Sequence, residues 1–392
     1  MTKFSVLLPT RNRLKYLRYA VESVLQQNYP DWEIIISDND SEEDIRGYVA
    51  SLAEPRIKYY RTPNFIPVTD NWNNALEKST GDYVIMLGDD DCLLNNYFTH
   101  ALSLIKQFQS PDFIYSSAFQ YAYPEVFPGH PEGMLQKWGN AIFFEGKQQP
   151  FIIEKEEAIP LVKETMQFKV MYNYNAQFVL VHRSLIRKLQ TQGPFYQSPY
   201  PDYYSTTALF LNAQRILAVP DPLVVVGITP KSFGFYYFNK KENEGNDFLK
   251  NVPDQSILKD VEKYVMPGTD MNSSWMLALE TVKKNYGNQF NLKLNYSRYR
   301  LLQILHHYKK FATDGSTTTK DLWKMSKHLF WTEKIVYLIP FYLLALGLKM
   351  HPNRAALIYD LTIGLSHPRY TMTKIDGQFR TILDVFEKMK IP

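Results

Sequence analysis

The sequence predicts an α/β protein, a mostly parallel sheet with flanking helices, followed by an α-helical C-terminal appendage. Three observations predict it. Apolar strand-like runs alternate with helix-periodic segments through the first 115 residues, the pattern of a parallel sheet with right-handed crossovers. Polar clusters sit where those runs end, at Pro9-Thr10-Arg11, Asp38-Asn39-Asp40 and Asp89-Asp90-Asp91. From about Asp254 the texture becomes helical, with Trp275, Leu279 and Val282, then Leu301, Ile304, Leu305 and Tyr308, at helical spacing.

Each element has its own signal. Phe4–Pro9 is a short apolar strand. Leu14, Leu17, Val21, Val24 and Leu25 fall on one helical face. Glu33–Ser37, with Ile34-Ile35-Ile36, reads as a strand buried on both faces. Ser41 is the expected N-cap of a helix to about Leu52, with Glu42, Glu43 and Asp44 in its first turn. Arg56–Tyr60 is a third strand, Thr69–Lys78 a helix, Asp82–Leu87 a fourth strand, Asn95–Phe108 a helix and Asp112–Tyr115 a fifth strand. Residues 119–150, rich in Pro, Gly and aromatics, read as a long functional or disordered loop. Ala176–Val181 and Leu223–Gly227 are further strands. Asp202 precedes an apolar helix to about Leu211, and Thr229–Asp247 reads as a mobile loop.

Composition bounds the function. The chain has 392 residues, 45% of them apolar, enough for a large core and about two domains. A single cysteine, Cys92, excludes an internal disulfide or a cysteine-based zinc site and fits a reducing compartment. Met1-Thr2-Lys3-Phe4 leads straight into a strand, so no signal peptide is expected. The net charge of +4 is unevenly spread: from Lys293 onward 16 Lys/Arg face 7 Asp/Glu, a balance of +9, which leaves −5 on the preceding residues. Such a basic tail suits a polyanionic surface, a membrane rather than nucleic acid since no nucleic-acid module is present, or else it is a merely solvated helical region. Ile335–Leu348 is apolar apart from Pro340 and two tyrosine hydroxyls and is bracketed by Lys334 and Lys349. It is shorter than the roughly 20 apolar residues of a bilayer span. Two readings stand: interfacial attachment through 335–348, or an ordinary buried helix.

In open α/β sheets, ligands bind beyond the carboxyl ends of the strands. Three carboxylates at 89–91 repel one another there, and a divalent cation would relieve the cost. The alternative is a polar turn that caps the next helix. Thr10, Arg11 and Arg13 offer hydroxyl and guanidinium donors to a nucleotide or phosphate. Asp38 can accept from an imide N–H such as that of uracil or thymine. Lys231-Ser232 can close over a diphosphate. No Gly-x-Gly-x-x-Gly follows the first strand and there is no Walker loop, which argues against a dinucleotide or P-loop site.

A set of motifs then resembles the inverting glycosyltransferases of family 2. They are Val6-Leu7-Leu8-Pro9-Thr10-Arg11-Asn12-Arg13, Leu17 to Gln27, Tyr29 to Ser41, Asn71-Trp72-Asn73-Asn74-Ala75, and Gly81-Asp82-Tyr83-Val84 running into the acidic cluster. In order and spacing they cover about the first 110 residues, with a looser likeness to about residue 235. The resemblance implies a GT-A fold, a Rossmann-like nucleotide-binding sheet. It implies a catalytic domain over 1–250, with 1–115 the nucleotide-sugar half and 116–250 the acceptor half, and a helical region over 251–392. Pro9, Thr10, Arg11 and Asp38 would hold base and ribose, and Asn71 and Asn74 would lie near the donor. The usual Asp-x-Asp aligns as Gly88-Asp89-Asp90, so its first Asp is missing. Asp90 is then the expected ligand of Mg²⁺ or Mn²⁺, with Asp89 or Asp91 as helper. Asp202 aligns with the catalytic base.

The expected activity is inverting transfer of a sugar from a nucleotide-diphospho sugar, UDP or dTDP favoured, to a hydroxyl of a glycan or lipid-linked acceptor. The expected setting is bacterial surface-polysaccharide synthesis, cytoplasmic or peripheral on the inner membrane face. Two alternatives remain at this stage. One is a sugar-phosphate nucleotidyltransferase, which would want a Gly-rich turn after the first strand. The other is a non-catalytic sugar-nucleotide-binding or scaffold protein.

Overall fold

The computed structural model describes residues 2–124, 126–127, 132–230, 232, 266, 271–313, 318–350 and 372–391. The chain forms two compact units. The first holds Met1–Ile159, Tyr172–Asn251 and Tyr370–Pro392, and the second Pro160–Met171 and Val252–Arg369.

The first unit opens with β1 (Phe4–Thr10), α1 (Leu14–Leu25), β2 (Trp32–Asp38), α2 (Ile45–Ser51), β3 (Ile57–Arg61), α3 (Val68–Glu77) and β4 (Tyr83–Met86). β1 pairs in parallel with both β2 and β4, and β2 with β3. β2 is buried along its whole length, as its isoleucine run requires of a strand covered on both faces. α1 turns Leu17, Ala20, Val21 and Val24 inward, the stripe expected from its periodicity. α2 starts later than expected, with Asp44 as cap accepting from Gly47 N–H. Ser41 is diverted: its hydroxyl accepts from Asn12 N–H and so joins two strand ends.

The second half of the sheet is mixed rather than parallel. It comprises β5 (Cys92–Leu93), α4 (Tyr97–Gln107), β6 (Phe113–Ala122), β7 (Gly133–Trp138), β8 (Phe151–Glu154), α5 (Lys155–Thr165), β9 (Val179–His182), α6 (Arg183–Leu189), α7 (Pro201–Asn212) and β10 (Arg215–Ile228). β9 inserts antiparallel between β4 and β6. β10 runs parallel to β6 over its length, with irregularities between Val219 and Val224 where Pro220 and Pro222 cannot donate to the ladder. The stretch read as a loop from 119 contains the end of β6 and all of β7, because Tyr121, Tyr123 and Trp138 are buried.

The second unit contains α8 (Met271–Phe290), α9 (Tyr296–Thr313), α10 (Thr319–Ser326), a short helix Trp331–Glu333 running into a π-helical turn Lys334–Leu338, and α11 (Ile339–Met350). The chain crosses into this unit inside α5, at the helix-disrupting Pro160. Phe168 packs against Trp275 and Tyr299. Arg300 and Glu333 form a buried ion pair at 2.7 Å.

The expected division at 250/251 therefore needs correction at the C-terminus. After the helical stretch, β11 (Met372–Phe379) pairs antiparallel with β7, and α12 (Ile382–Lys388) buries Ile382, Val385 and Phe386 in the first unit. The described strands form one sheet whose main path is β11-β7-β6-β9-β4-β1-β2-β3.

Candidate functional site

Two strand ends converge on one arginine. β1 ends at Thr10, and the chain turns through Asn12 at a φ of 52° to bring Arg13 over the loop after β4. Thr10 Oγ1 donates to Asp89 Oδ2 at 2.7 Å. Arg13 Nη1 lies 2.9 Å from Asp89 Oδ1, and its Nη2 lies 2.5 Å from Asp90 Oδ2. Ser232 Oγ donates to the same Asp90 oxygen at 2.6 Å, and Thr229 Oγ1 accepts from Arg13 at 2.6 Å. Burial alone would lower the Arg13 pKa, but Asp89 and Asp90 outweigh it and raise it. Burial pushes the Asp89 carboxyl up, and Arg13 holds it part of the way back.

Asp91 does something different. Its Oδ1 accepts from Gly227 N–H at 2.8 Å, and its Oδ2 accepts from Gly88 N–H at 2.9 Å and from Gln177. The missing first aspartate of the motif now has a physical reason. A Cβ on Gly88 would lie 2.4 Å from Asp91 Oδ2, and one on Gly227 would lie 1.9 Å from the Asp90 carbonyl oxygen. Both glycines let backbone approach the acidic turn closely.

The triplet thus does not form a three-carboxylate grip. Among the described residues, no three His, Cys, Asp or Glu side chains are grouped to hold a metal ion. Both Asp89 oxygens and both Asp91 oxygens are already hydrogen-bonded or ion-paired. Asp90 spends only Oδ2 on its partners, and its Oδ1 has none among the described residues. The donor set fits a cation held by one carboxylate together with substrate phosphates, a common arrangement for Mg²⁺.

The base-side residues line up at β2. Asp38 is fully buried; Oδ2 accepts from Tyr59 OH at 2.6 Å and Oδ1 from Ser41 N–H at 3.0 Å. To accept from a base, it would have to share an oxygen with one of these. Asn71 bonds Ser37 through both amide atoms, and Asn74 Nδ2 donates to Ser37 Oγ at 2.8 Å. These asparagines brace the end of β2 beside Asp38. Arg11 is exposed, with its guanidinium 4.0 Å from the centre of the Phe65 ring. Pro9 is half-buried opposite Ser37. Lys231 lies outside the described residues.

Asp202 occupies the first turn of α7, where Tyr203 N–H donates to its Oδ1 at 2.9 Å. Burial raises its carboxyl pKa to about 7. The segment before it is tied to α3: Thr69 Oγ1 donates to Ser198 O at 2.7 Å, and Asn73 exchanges two bonds with the Tyr196 backbone. The same helix carries Asn71 and Asn74, so one element links the Asp38 strand end to the approach to Asp202. His182, which ends β9, and Arg183, which opens α6, make their contacts away from the acidic turn. Arg183 donates to Gly81 O and Ser79 Oγ, and His182 packs on Tyr83.

Sequence reasoning missed Asn73, Gln177 and Thr229 as parts of this constellation, and it set Ser232 over a diphosphate rather than on Asp90. Asn73 stood between two flagged asparagines. Gln177 lies 86 positions from Asp91, and Thr229 lies 139 from Asp90 and 216 from Arg13, and no local pattern marks such distant pairings.

Known proteins resemble the first part of this chain in sequence and most of it in fold. The profile of Glycosyl transferase family 2 matches residues 5–156. The GalNAc(5)-diNAcBac-PP-undecaprenol beta-1,3-glucosyltransferase of Campylobacter jejuni is 39% identical over 110 residues, 27% of this chain and 34% of the relative. The UDP-Glc:alpha-D-GlcNAc-diphosphoundecaprenol beta-1,3-glucosyltransferase WfgD of Escherichia coli is 27% identical over 101 residues, 26% of this chain and 40% of the relative. The matches therefore span well under half the length of either relative. Among solved structures, S. aureus TarS 1–349 in complex with UDP-GlcNAc superposes with a TM-score of 0.50 at 14% identity, over 93% of this chain and 84% of that one, a likeness of fold. The strand order, the acidic turn after β4 and the profile match agree: residues 5–156 belong to glycosyl transferase family 2.

Proposed function

We propose that this protein is an inverting, metal-dependent glycosyltransferase. It moves a sugar from a UDP- or dTDP-sugar to a hydroxyl of a glycan or lipid-linked acceptor, in bacterial surface-polysaccharide synthesis at the cytoplasmic membrane face. The observation that carries the reading is the Thr10–Arg13–Asp89–Asp90 cluster at the carboxyl ends of β1 and β4. The names of the C. jejuni and E. coli relatives, which specify undecaprenyl-diphosphate-linked acceptors, support the acceptor class.

The roles follow from the residues. Pro9, Thr10, Arg11 and Asp38 line the side that takes base and ribose, and Asn71 and Asn74 keep that strand end in position. Asp90, through Oδ1, would hold Mg²⁺ or Mn²⁺, which when bound would supply positive charge against the leaving diphosphate. Arg13 keeps Asp89 and Asp90 together despite their repulsion. Asp202 takes the proton from the acceptor hydroxyl as that oxygen attacks the anomeric carbon, on the face opposite the departing diphosphate. A base of pKa about 7 is matched to that work at neutral pH.

The test is Asp202→Asn in a donor screen that reads nucleotide release with acceptor present. Transfer should fall by about 10²–10⁴-fold, while UDP binding by calorimetry stays near wild type. Full transfer activity in this variant would remove Asp202 from the mechanism.

A further inference from the structure

Most of the large apolar side chains exposed on the described surface belong to one stretch, residues 323–350. Trp323 is 70% exposed, Phe330 66%, Trp331 74%, Ile335 54%, Ile339 56% and Leu343 65%. A surface usually carries such residues singly; a contiguous group marks an interaction face. Here they follow one another along α10, the turn after it, the short helix, the π-helical turn and α11. Ile335, Ile339 and Leu343 recur every four positions, one stripe of a helix.

The other side of the same stretch is fixed. Tyr308 OH donates to Leu338 O at 2.7 Å, Phe311 packs with Tyr342, and Glu333 is held by Arg300. The helix therefore packs inward through Leu338 and Tyr342 on α9, while its outer stripe faces solvent. The π-helical turn fits this double duty, since it shifts the register of the side chains around the axis.

Charge selects the partner. Lys320, Lys324 and Lys327 are exposed beside Trp323 and Phe330, and Lys334 follows Trp331. The acidic groups of the same stretch are spoken for: Asp321 caps α10 through Thr318, and Glu333 is paired inside. Tryptophans and aliphatics bordered by lysines suit the headgroup boundary of an anionic bilayer, where rings sit at the interface and ammonium groups meet lipid phosphates. Among the described residues, no helix is long and apolar enough to cross a membrane.

We infer that the outer face of residues 320–343, led by Trp323, Phe330 and Trp331 and ringed by Lys320, Lys324 and Lys327, docks the protein on an anionic lipid surface. It enlarges the expected 335–348 segment toward the N-terminus and gives it an aromatic leading edge. It rests on the proposed lipid-linked acceptor only for its purpose, since binding to lipid is measured without any sugar.

The test uses the full chain and vesicles of phosphatidylglycerol mixed with phosphatidylcholine, against phosphatidylcholine alone. Co-sedimentation should favour the anionic vesicles at least about tenfold. Tryptophan emission should shift to the blue and be quenched by lipids brominated near the headgroup. The Trp323→Ser/Trp331→Ser/Ile335→Ser variant should lose binding at least about tenfold, with an unchanged circular-dichroism spectrum and unchanged transfer to a short water-soluble acceptor. Wild-type vesicle binding in that variant, or binding indifferent to lipid charge, overturns the inference. So does a wild-type dimer that the variant converts to a monomer, which would make a second copy the occupant. Loss of transfer in Asp202→Asn with vesicle binding intact separates this face from the catalytic proposal.

Discussion

Asp202 and the acidic turn show how environment divides one residue type among several tasks. Burial raises the Asp202 pKa from 3.8 to about 7, so the folded chain prefers the acid form. The resulting cost is absent at low pH, grows as pH climbs above 3.8, and is complete above about 7. Asp202→Asn should therefore melt higher than wild type at pH 8, by about 1–3 kcal/mol after allowing for the half-buried site, and nearly equally at pH 4. Wild-type kcat/KM should rise through about pH 7 and then level. A flat profile would detach the proton transfer from this carboxyl. In the acidic turn the prediction is a contrast. Asp90→Asn should lose most of the gain in UDP affinity that Mn²⁺ confers, because it alters the carboxylate whose Oδ1 has no partner among the described residues. Asp91→Ala should keep that gain but cost about 2–3 kcal/mol of stability, since the buried Gly88 and Gly227 amides lose their acceptor. A calorimetric titration of UDP with and without Mn²⁺, beside thermal melts, reads both. If Asp91→Ala abolished the metal effect and Asp90→Asn did not, the two roles would have to be exchanged. Glu33 represents the opposite regime. Burial alone would raise its pKa, but Lys58, Lys3, Ser5 and the Thr80 amide overcome that and lower it to about 2.

Elements differ in how far their sequence announces them. The Ile34-Ile35-Ile36 run and the Leu17, Val21, Val24 stripe were legible because strand and helix periods act over neighbouring residues. So were the polar strand ends, and with them Thr10, Arg13 and Asp90. β7 (Gly133–Trp138) and β11 (Met372–Phe379) were not. β11 has exposed side chains over most of its length and exists because it pairs with β7, more than 230 positions earlier. Pairing across that separation leaves no local mark. The same holds for Asn73, whose reach to Tyr196 gives α3 its bracing function. The return of the chain to the first unit can be tested on α12. Phe386 is 3% exposed, in a cluster with Tyr121, Val225, Phe379 and Ile382. Phe386→Ala should cost about 3–4 kcal/mol, in the range for deleting a buried ring. Glu387→Ala, exposed one position on, should cost less than about 0.5 kcal/mol. Equal melting of the two variants would mean that α12 does not belong to this core.

At the scale of the molecule, charge is segregated. The balance from Lys293 onward is +9, against −5 before it. A uniformly mixed surface would give weak, featureless attraction to lipid. A basic region that also bears exposed tryptophans gives an oriented one. The two contributions separate by salt, because attraction between lysines and anionic headgroups fades beyond a Debye length, about 10 Å at 0.1 M, whereas apolar insertion is not screened. Raising the salt to about 0.5 M should therefore weaken vesicle binding several-fold without abolishing it. The Lys320→Gln/Lys324→Gln/Lys327→Gln variant should already bind weakly at low salt and show a shallower salt dependence. The triple Ser variant should keep the full salt dependence at a lower overall affinity. Parallel salt curves for wild type and the Gln variant would place the attraction elsewhere on the basic tail. On turnover the consequence is specific. With an acceptor embedded in anionic vesicles, both variants should raise the apparent KM for the acceptor and leave kcat unchanged, because docking concentrates the protein where acceptor lies and takes no part in the proton transfer proposed for Asp202.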